Sequence, residues 1–344
     1  MARIAINIVT WNSMKYLPEA LASIYGQTYR DFFVLVIDNG SGDGTPEFVR
    51  RNYPQAGVLR NFKNLGFARA HNQGIVYAKT HLNSAGGDKM VLVTNPDILL
   101  EPDFLEKLAA EMDRRPDAGS AGGKLLKVHQ EGGEVKEAVR TNVIDSTGLQ
   151  LTRARRAYDR GAGELDKGGP DRTEEVFGVS GAVALYRLEA LEDAAYGGEY
   201  FDEDFFAYKE DIDLAWRLRL RGWPALYVPA ARAYHYRTAA GRVRASWREI
   251  ILGRRDRSKR VNFLSYRNHL LLLLKNEQAL NYLLHWPLIW LYEFQKFVFI
   301  LFREPSTLGA WFSYLRLAPR MLAKRRLIQS RRQVRAGDVR KWFK

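Results

Sequence analysis

The first 100 residues alternate short apolar runs with helical stretches, and this alternation most narrows the folds open to the chain. The strand-like and helical segments occupy, in order, residues 3–10, 16–27, 32–40, 46–53, 57–61, 67–81 and 89–97. Strands separated by helices predict a mostly parallel sheet with helices on both faces, which is an α/β fold. Ligands of such sheets bind at the carboxyl ends of the strands, so the polar residues at those ends form the candidate site.

The sequence pattern changes in the later part of the chain. Residues 121–175 are rich in Gly and in charge and predict short strands and loops, whereas residues 176–187 predict a further strand. From residue 261 to 328 the pattern is helical and rich in Leu, Phe, Trp and Tyr, and residues 325–344 are basic and either amphipathic or frayed. We therefore expect an α/β body followed by a helical C-terminal region.

The first two predicted strands each end in a short polar segment. The first ends in Thr10, Trp11 and Asn12, and the second runs into DNGSGDGT at residues 38–45. The small residues let the backbone approach a ligand closely, and Asp38 can accept a hydrogen bond from a base or a ribose. A tight turn rich in Gly, Asp and Ser fits the same eight residues equally well.

A third polar segment, NLGFARAHNQG at residues 64–74, opens the next predicted helix. Asn64 and Gly66 lie where backbone N–H groups at a helix N-terminus can meet phosphate. Arg69 and Asn72 add side-chain donors. Simple capping of the helix by Asn64 is the alternative.

A fourth segment, TNPDILL at residues 94–100, ends the last of these strands. A carboxylate fixed at the end of a buried strand, here Asp97, is a suitable ligand for Mg²⁺ or Mn²⁺. An ordinary Asn-Pro-Asp turn is the alternative.

Three acids lie within four residues in FFAYKEDIDLAWRLRLRGW, which spans residues 205–223. Glu210 and Asp211 are either ordinary first-turn acids of a helix or a catalytic base and its neighbour. Asp213 lies four residues before Arg217, a spacing that predicts a surface or structural ion pair.

Charge is distributed unevenly along the 344 residues, whose net charge is +14. Residues 240–344 carry 23 Lys and Arg against 6 Asp and Glu, while residues 1–239 are close to neutral. So basic a region attracts phosphates, either those of nucleic acid or those of anionic lipid. The chain has no cysteine, which excludes disulfides and thiolate metal sites, and its first residues lack the pattern of a signal peptide.

Residues 281–302 read NYLLHWPLIWLYEFQKFVFILF, which is long enough to span a bilayer. Glu293 and Lys296 fall inside this stretch, and charges at mid-bilayer are costly. We therefore predict that residues 264–328 form helices lying on a membrane surface, with a transmembrane hairpin and a buried dimerisation bundle as alternatives. Residues 242–260 are also basic and are a candidate for a loop that grips an acceptor diphosphate.

Over residues 3–240 the chain resembles the family 2 glycosyltransferases, which are inverting enzymes with the GT-A fold. The resemblance is carried by VTWNSMKYLPEALASIYGQTY, VIDNGSGDGT, NLGFARAHNQG, TNPD, VSGAVALYR, FDEDFFAYKEDIDLAWRLRLRGW and AYHYRTAAG. Within the family it is most similar to the rhamnosyltransferase-like branch that builds bacterial surface polysaccharides. The Gln-x-x-Arg-Trp motif of the processive synthases is missing, which implies transfer of one or a few sugars.

The resemblance implies a role for each matched position. Asp211 would be the general base with Glu210 beside it, and Asp97 and His235 would bind Mn²⁺ or Mg²⁺. Asn95 replaces the first acid of the family's Asp-x-Asp motif. The implied nucleotide-binding set is Thr10, Trp11, Asn12, Asp38, Asn39, Ser41, Asn64, Gly66, Phe67, Arg69, Asn72 and Asn95.

The implied reaction moves a sugar from a nucleotide-diphosphate donor, dTDP-rhamnose-like or a UDP-sugar, to a glycan on a polyprenyl diphosphate. The expected organisation is a catalytic domain over residues 1–240, a basic linker over 241–262 and a membrane-associating helical region over 263–344. We expect the protein to lie at the cytoplasmic face of the plasma membrane, on anionic lipid. We expect no nucleic-acid partner, and a homodimer remains open. One alternative is a sugar nucleotidyltransferase, but the Gly-rich loop that this class needs after its first strand is missing here. The other alternative is a non-catalytic scaffold that binds lipid or nucleic acid.

Overall fold

A computed structural model describes residues 2–83, 87–130, 138–168, 172–236 and 258–344. Its strands are β1 Ile4–Thr10, β2 Phe32–Asp38, β3 Gly57–Arg60, β4 Met90–Thr94, β5 Ile98–Leu100, β6 Ser120–Gln130, β7 Ala138–Ser146, β8 Leu149–Leu151, β9 Ala157–Asp159, β10 Glu174–Val176, β11 Val183–Arg187 and β12 Ala225–His235. Its α-helices are α1 Leu17–Tyr25, α2 Thr45–Asn52, α3 Gly66–His81, α4 Phe104–Arg114, α5 Leu188–Ala194, α6 Glu210–Leu220, α7 Lys259–Asn276, α8 Ala279–Arg303, α9 Gly309–Ser330 and α10 Ala336–Arg340.

One large mixed sheet organises the body, with strand order β10-β12-β6-β11-β4-β1-β2-β3. The strands β4, β1, β2 and β3 pair in parallel, as the alternation of strands and helices predicts. Beyond them β11 runs antiparallel to β4 and to β6, while β12 pairs in parallel with β6 and β5 pairs antiparallel with β12. The register sets Thr10 beside Asp38, so the first two polar segments meet at one edge of the sheet.

Two apolar layers cover the sheet because its central strands are buried on both faces. One layer joins strand residues such as Ile6 to Leu21 of α1 and Leu105 of α4. The other joins Val91 of β4 to α3, α5 and α6, with Leu214 of α6 fully buried. This packing fixes α6 and the start of α3, and both helices begin at the carboxyl edge of the parallel strands.

The strand predicted at residues 176–187 is interrupted. β10 ends at Val176 and β11 begins at Val183, and the segment between them passes under α6. A Cβ atom at Gly178 would lie 2.3 Å from the Cβ of Ala215, and one at Gly181 would lie 3.0 Å from the Cβ of Asp211. Glycine at these two positions allows α6 to approach the sheet.

The C-terminal helices pack on the body through a third apolar cluster. Trp216 of α6 and Phe177 meet Leu271 of α7, Met321 of α9 and Phe343 near the end of the chain. The chain end is therefore docked rather than frayed, and the backbone oxygen of its last residue accepts a hydrogen bond from the N–H of residue 153 at 2.9 Å.

The ion pair expected between Asp213 and Arg217 forms at 2.9 Å, and because both side chains are buried it is the structural pair of the two options. No helix in the described ranges is both long and apolar enough to cross a membrane. The basic segment 242–260, proposed to grip a diphosphate, lies outside the described residues except for its last three.

Candidate active site

The Asp38 carboxylate lies fully buried at the end of β2 and is held by neighbours from its own loop and from β1. The Thr10 hydroxyl donates to Asp38 Oδ1 at 3.0 Å, and the Ser41 N–H donates to Asp38 Oδ2 at 2.9 Å. The Ser41 hydroxyl is also bonded to Oδ1. These hydrogen bonds fix a carboxylate at the sheet edge. Its oxygens can accept hydrogen bonds from N–H groups of a base or hydroxyl groups of a ribose.

Asn12 joins the loops that follow the first two strands. Its backbone lies in the left-handed region at φ 51°, a conformation that asparagine tolerates better than most residues. Its side-chain oxygen accepts from the Gly42 N–H at 2.9 Å, and its own N–H donates to the Ser41 hydroxyl at 2.8 Å. The neighbouring Trp11 is 56% exposed, so a large aromatic side chain is open to solvent in the segment that follows β1.

The start of α3 lies next to this pocket and is tied to it by Asn39. The Asn39 amide donates to the Gly66 carbonyl at 3.2 Å, and Asn64 accepts from the Gly66 N–H at 2.8 Å. Gly66 has φ +83°, and a Cβ atom there would lie 2.4 Å from the Phe206 carbonyl oxygen. Only glycine fits this close approach between the pocket and the segment that leads to Glu210.

Three other residues of the predicted nucleotide set lie along α3 and contact the segment 201–203. The Asn72 amide is buried and exchanges two hydrogen bonds of 2.8 Å with the backbone of Phe201. Phe67 packs edge-on against the Phe201 ring, and Arg69 lies 3.5 Å from Glu203. Because both the oxygen and the nitrogen of the Asn72 amide are hydrogen-bonded to the Phe201 backbone, Asn72 holds Phe201 in place.

Asp97 and His235 meet at the same edge, because β5 and β12 pair in antiparallel register. His235 Nε2 lies 3.5 Å from Asp97 Oδ2, and His235 Nδ1 lies 2.8 Å from Asp145 Oδ2. Asp97 Oδ1 is buried without a hydrogen-bond partner within the described part of the chain. Asn95 lies in the same turn, with its N–H bonded to the Ala182 carbonyl at 2.9 Å.

This arrangement fits a divalent cation. Burial lowers the pKa of His235, but hydrogen bonds to Asp145 and Asp97 outweigh it and raise that pKa to about 9, so the surroundings favour a positive charge between the carboxylates. Across the described ranges no group of three or more His, Cys, Asp or Glu forms a complete metal site. Asp97 and His235 could thus supply two ligands to a cation, whose remaining ligands would be oxygens of a substrate or water.

Asp211 lies in the first turn of α6 with both carboxylate oxygens bonded to backbone N–H groups. Gly181 donates to Oδ2 at 3.1 Å and Ile212 donates to Oδ1 at 2.8 Å. Burial raises the pKa of Asp211 despite these bonds, and the negative charge of Asp159 adds to the increase. Glu210 is 7% exposed, and burial together with the charge of Asp211 raises its pKa to about 8.

The segment before these acids is held by α7. The Asn268 amide donates to the backbone carbonyls of Phe205, Ala207 and Tyr208 at 2.8–2.9 Å. Positive φ angles occur at residues 206, 208 and 209, which is strained backbone for side chains of this size. The C-terminal region therefore holds in place the backbone segment that precedes the candidate base.

Sequence reasoning missed Asp145, Asp159 and Asn268. The two aspartates lie in the Gly-rich, charged segment whose side chains a pattern could not place, and Asn268 lies in a stretch interpreted as membrane-associating. A polar residue within an apolar helical run was the one available signal for Asn268.

The fold and the site together define an α/β enzyme of the GT-A type. The structure of S. aureus TarS residues 1–349 in complex with UDP-GlcNAc superposes with a TM-score of 0.54 at 18% identity, covering 99% of this chain and 89% of that one. GalNAc-T7 with UDP, GalNAc and Mn²⁺ gives a TM-score of 0.56 at 14% identity, covering 79% of this chain and 48% of that one. At such identities these likenesses establish the fold.

Sequence comparison gives the family. Residues 2–251 match the family described as "Glycosyltransferase like family 2". The N-acetylglucosaminyl-diphospho-decaprenol L-rhamnosyltransferase of Mycobacterium tuberculosis is 32% identical over 248 residues, which are 69% of this chain and 78% of that protein. The chain belongs to glycosyltransferase family 2, and the predicted enzyme class is confirmed.

Proposed function

We propose that the protein transfers a sugar, with inversion, from a nucleotide-diphosphate donor to a glycan carried on a polyprenyl diphosphate. The observation that carries the proposal is the Asp211 carboxylate, which Gly181 holds at the sheet edge shared with Asp38 and Asp97. The similarity to a mycobacterial rhamnosyltransferase named for a lipid-linked acceptor supports a dTDP-rhamnose-like donor, with a UDP-sugar as the alternative.

Asp211 would act as the general base. The acceptor oxygen bonds to the anomeric carbon as the bond from that carbon to the nucleotide diphosphate breaks, and the hydroxyl proton passes to Asp211. A positioned base contributes about 10²–10⁴-fold to such a step. The hydrogen bonds from Gly181 and Ile212 fix the carboxylate, so little reorganisation is needed when the acceptor arrives.

The donor would bind between the Asp38 pocket and the Asp97–His235 pair. Thr10, Asn12 and Asp38 would hold base and ribose, and the start of α3 at Gly66 would face the phosphates. Mn²⁺ or Mg²⁺ held by Asp97 and His235 would offset the charge of the diphosphate leaving group. The Mn²⁺ named with UDP in the GalNAc-T7 structure supports this use of a metal.

We propose that the enzyme works as a peripheral protein on anionic lipid at the cytoplasmic face of the plasma membrane, in assembly of a cell-surface polysaccharide. Residues 1–240 would form the catalytic domain, 241–262 a linker and 263–344 a membrane-associating region. A lipid-linked acceptor requires the site to meet a bilayer, and the basic C-terminal third supplies the complementary charge.

Calorimetric titration of UDP, GDP, dTDP and CDP with and without Mn²⁺ tests the donor site, and a transfer assay of Asp211→Asn tests the base. We expect one nucleotide to bind with metal dependence, and we expect Asp211→Asn to bind it normally while losing about 10²–10⁴-fold in kcat. The exposed acid Glu189, changed to Gln, is the control. Full transfer by Asp211→Asn, or no nucleotide binding at all, would overturn the proposal.

A further inference from the structure

Helix α8 exposes a continuous apolar face. Its large apolar side chains at least 41% exposed on this face are Leu280, Leu283, Leu284, Leu288, Trp290, Leu291, Phe294, Leu301 and Phe302. At about 100° per residue they fall within an arc of about 160°, and they extend along about 33 Å of helix. Gln295 is the polar residue within this arc. We call these nine side chains the apolar face of α8.

From Ile289 onward the opposite side of α8 is packed against the rest of the protein, whereas Tyr282 and Trp286 nearer its start are exposed outside the apolar face. Ile289 and Ile300 are buried there, Glu293 bonds to His269 of α7, and the Lys296 ammonium lies 4.7 Å from the centre of the Tyr266 ring. The charges that interrupt the apolar stretch in the sequence therefore point toward α7. The rotation of α8 about its axis is fixed, and the apolar face is held toward solvent.

A single turn of α7 connects this helix to the catalytic acids. His269 bonds to Glu293 of α8, and the adjacent Asn268 holds the backbone of residues 205–208, directly before Glu210. Asn268 and His269 are adjacent and buried, so they link the position of the apolar face of α8 to that of the catalytic acids.

Charge identifies the occupant of this face. Helix α9 also exposes Phe312 and Leu315, and exposed Arg316 and Arg326 lie on the same side of α9 as these two residues. Two copies meeting through this surface would bring two strongly basic regions together, which is unfavourable, whereas an anionic bilayer is complementary to it. Trp290 also favours the interface between lipid and water.

We propose that the apolar face of α8 inserts into one leaflet of an anionic bilayer, with the helix axis parallel to the membrane plane. This inference rests on the proposed function, in which a polyprenyl-linked acceptor presents its sugar at the membrane surface. Apolar side chains reach about 5–10 Å into the boundary between headgroups and acyl chains in such helices, while basic residues alongside them contact the headgroups.

The experiment is co-sedimentation of the full chain with vesicles of phosphatidylcholine alone or with phosphatidylglycerol as about one third of the lipid. Trp290→Glu and Phe294→Glu change two stacked rings of the apolar face. Val76→Glu, at a residue of α3 that is 54% exposed, is the matched control. Transfer to a water-soluble acceptor analogue without vesicles, and the mass of each protein in solution, are measured in parallel.

We expect the chain to bind anionic vesicles, the two α8 variants to bind them about tenfold more weakly or worse, and Val76→Glu to bind normally. All four proteins should transfer sugar to the soluble analogue at the same rate. Equal binding by the α8 variants and the control would overturn the proposal, as would a wild-type dimer that Trp290→Glu dissociates without any vesicle binding. Absence of transfer by every protein, with vesicle binding as expected, would refute the proposed function alone.

Discussion

Glu210 and Asp211 are adjacent carboxyl groups whose surroundings separate their roles. Glu210 Oε2 is buried and has no hydrogen-bond partner in the described part of the chain, whereas both Asp211 oxygens accept backbone N–H groups. Burial and the charge of Asp211 raise the pKa of Glu210 to about 8. Near neutral pH these surroundings favour the protonated form of Glu210, whereas the two backbone N–H groups stabilise the ionised form of Asp211 against its burial.

The raised pKa of Glu210 predicts a pH-dependent effect on stability. Its folded-state pKa of about 8 lies above the ordinary value of 4.5, so its contribution to stability is present below pH 4.5 and is lost as the pH rises toward 8. Gln cannot ionise, so Glu210→Gln should be more stable than wild type by about 4 kcal/mol at pH 8 and by only about 1 kcal/mol at pH 5. Thermal unfolding at the two pH values measures this, and an equal shift at both would contradict it.

Asp145 is expected to orient His235 for metal binding. It accepts from Nδ1, so a neutral His235 turns the lone pair of Nε2 toward Asp97. Asp145→Asn should weaken Mn²⁺ binding by about 10–100-fold while metal-free nucleotide binding is unchanged. Electron paramagnetic resonance titration of Mn²⁺ measures this, with Asp166→Asn as the control. Unchanged Mn²⁺ affinity in Asp145→Asn would show that its role is structural.

Residues at strand ends could be predicted from the sequence, whereas residues joined by distant pairing could not. Thr10, Asp38 and Asp97 lie at strand ends, and the periodicity of the pattern places strand ends at one sheet edge. Asp145 could not be assigned in this way, because it reaches His235 across 90 residues through strand pairing that no local pattern encodes.

At the level of elements, α7 differs most from its sequence interpretation. The predicted membrane-surface helices of residues 264–328 include most of α7, but Leu271, Leu272 and Lys275 are buried in the protein. The pattern records which residues avoid water, and it does not tell whether protein or lipid replaces the water. By contrast, α8 keeps an exposed apolar face.

The support that α7 gives to residues 205–208 predicts a specific defect. Asn268→Ala removes the Asn268 donor from the Ala207 and Tyr208 carbonyls, while the Phe205 carbonyl keeps a donor from Arg267. The loss of these bonds costs about 1–3 kcal/mol and frees the strained backbone that positions the acids. We expect kcat to fall by about tenfold or more. The affinity for nucleotide should stay the same because the Asp38 pocket is untouched.

Asn281→Ala is the matched control for that variant. Asn281 is also a buried asparagine of the C-terminal helices, and its amide donates to the Ala336 carbonyl at 2.8 Å, away from the acids. Steady-state kinetics should separate the two variants. Equal losses of kcat in both would mean that Asn268 acts through general stability.

Over the whole molecule, the family match ends at residue 251, yet the body depends on the C-terminal helices beyond that point. Lys275 of α7 is fully buried and pairs with Asp202 and with Asp213, the latter at 2.7 Å. Asp213 is also bonded to Arg217, so one buried network joins α7 to α6. The charge and the apolar pattern of the C-terminal third predicted a membrane partner and gave no sign of this second attachment.

A chain that ends at Tyr236 should therefore fail to fold as a soluble protein. Loss of the C-terminal helices would expose the cluster around Trp216 and take Lys275 away from Asp202 and Asp213. Removing one partner of a buried ion pair costs about 3–5 kcal/mol, a large share of the about 5–15 kcal/mol that stabilises a domain. Lys275→Met in the full chain isolates this contribution and should lower the thermal unfolding midpoint by several degrees or more. A soluble truncated protein with the unfolding midpoint of the full chain would mean that residues 1–236 form an independent domain, and that the buried network adds nothing to its stability.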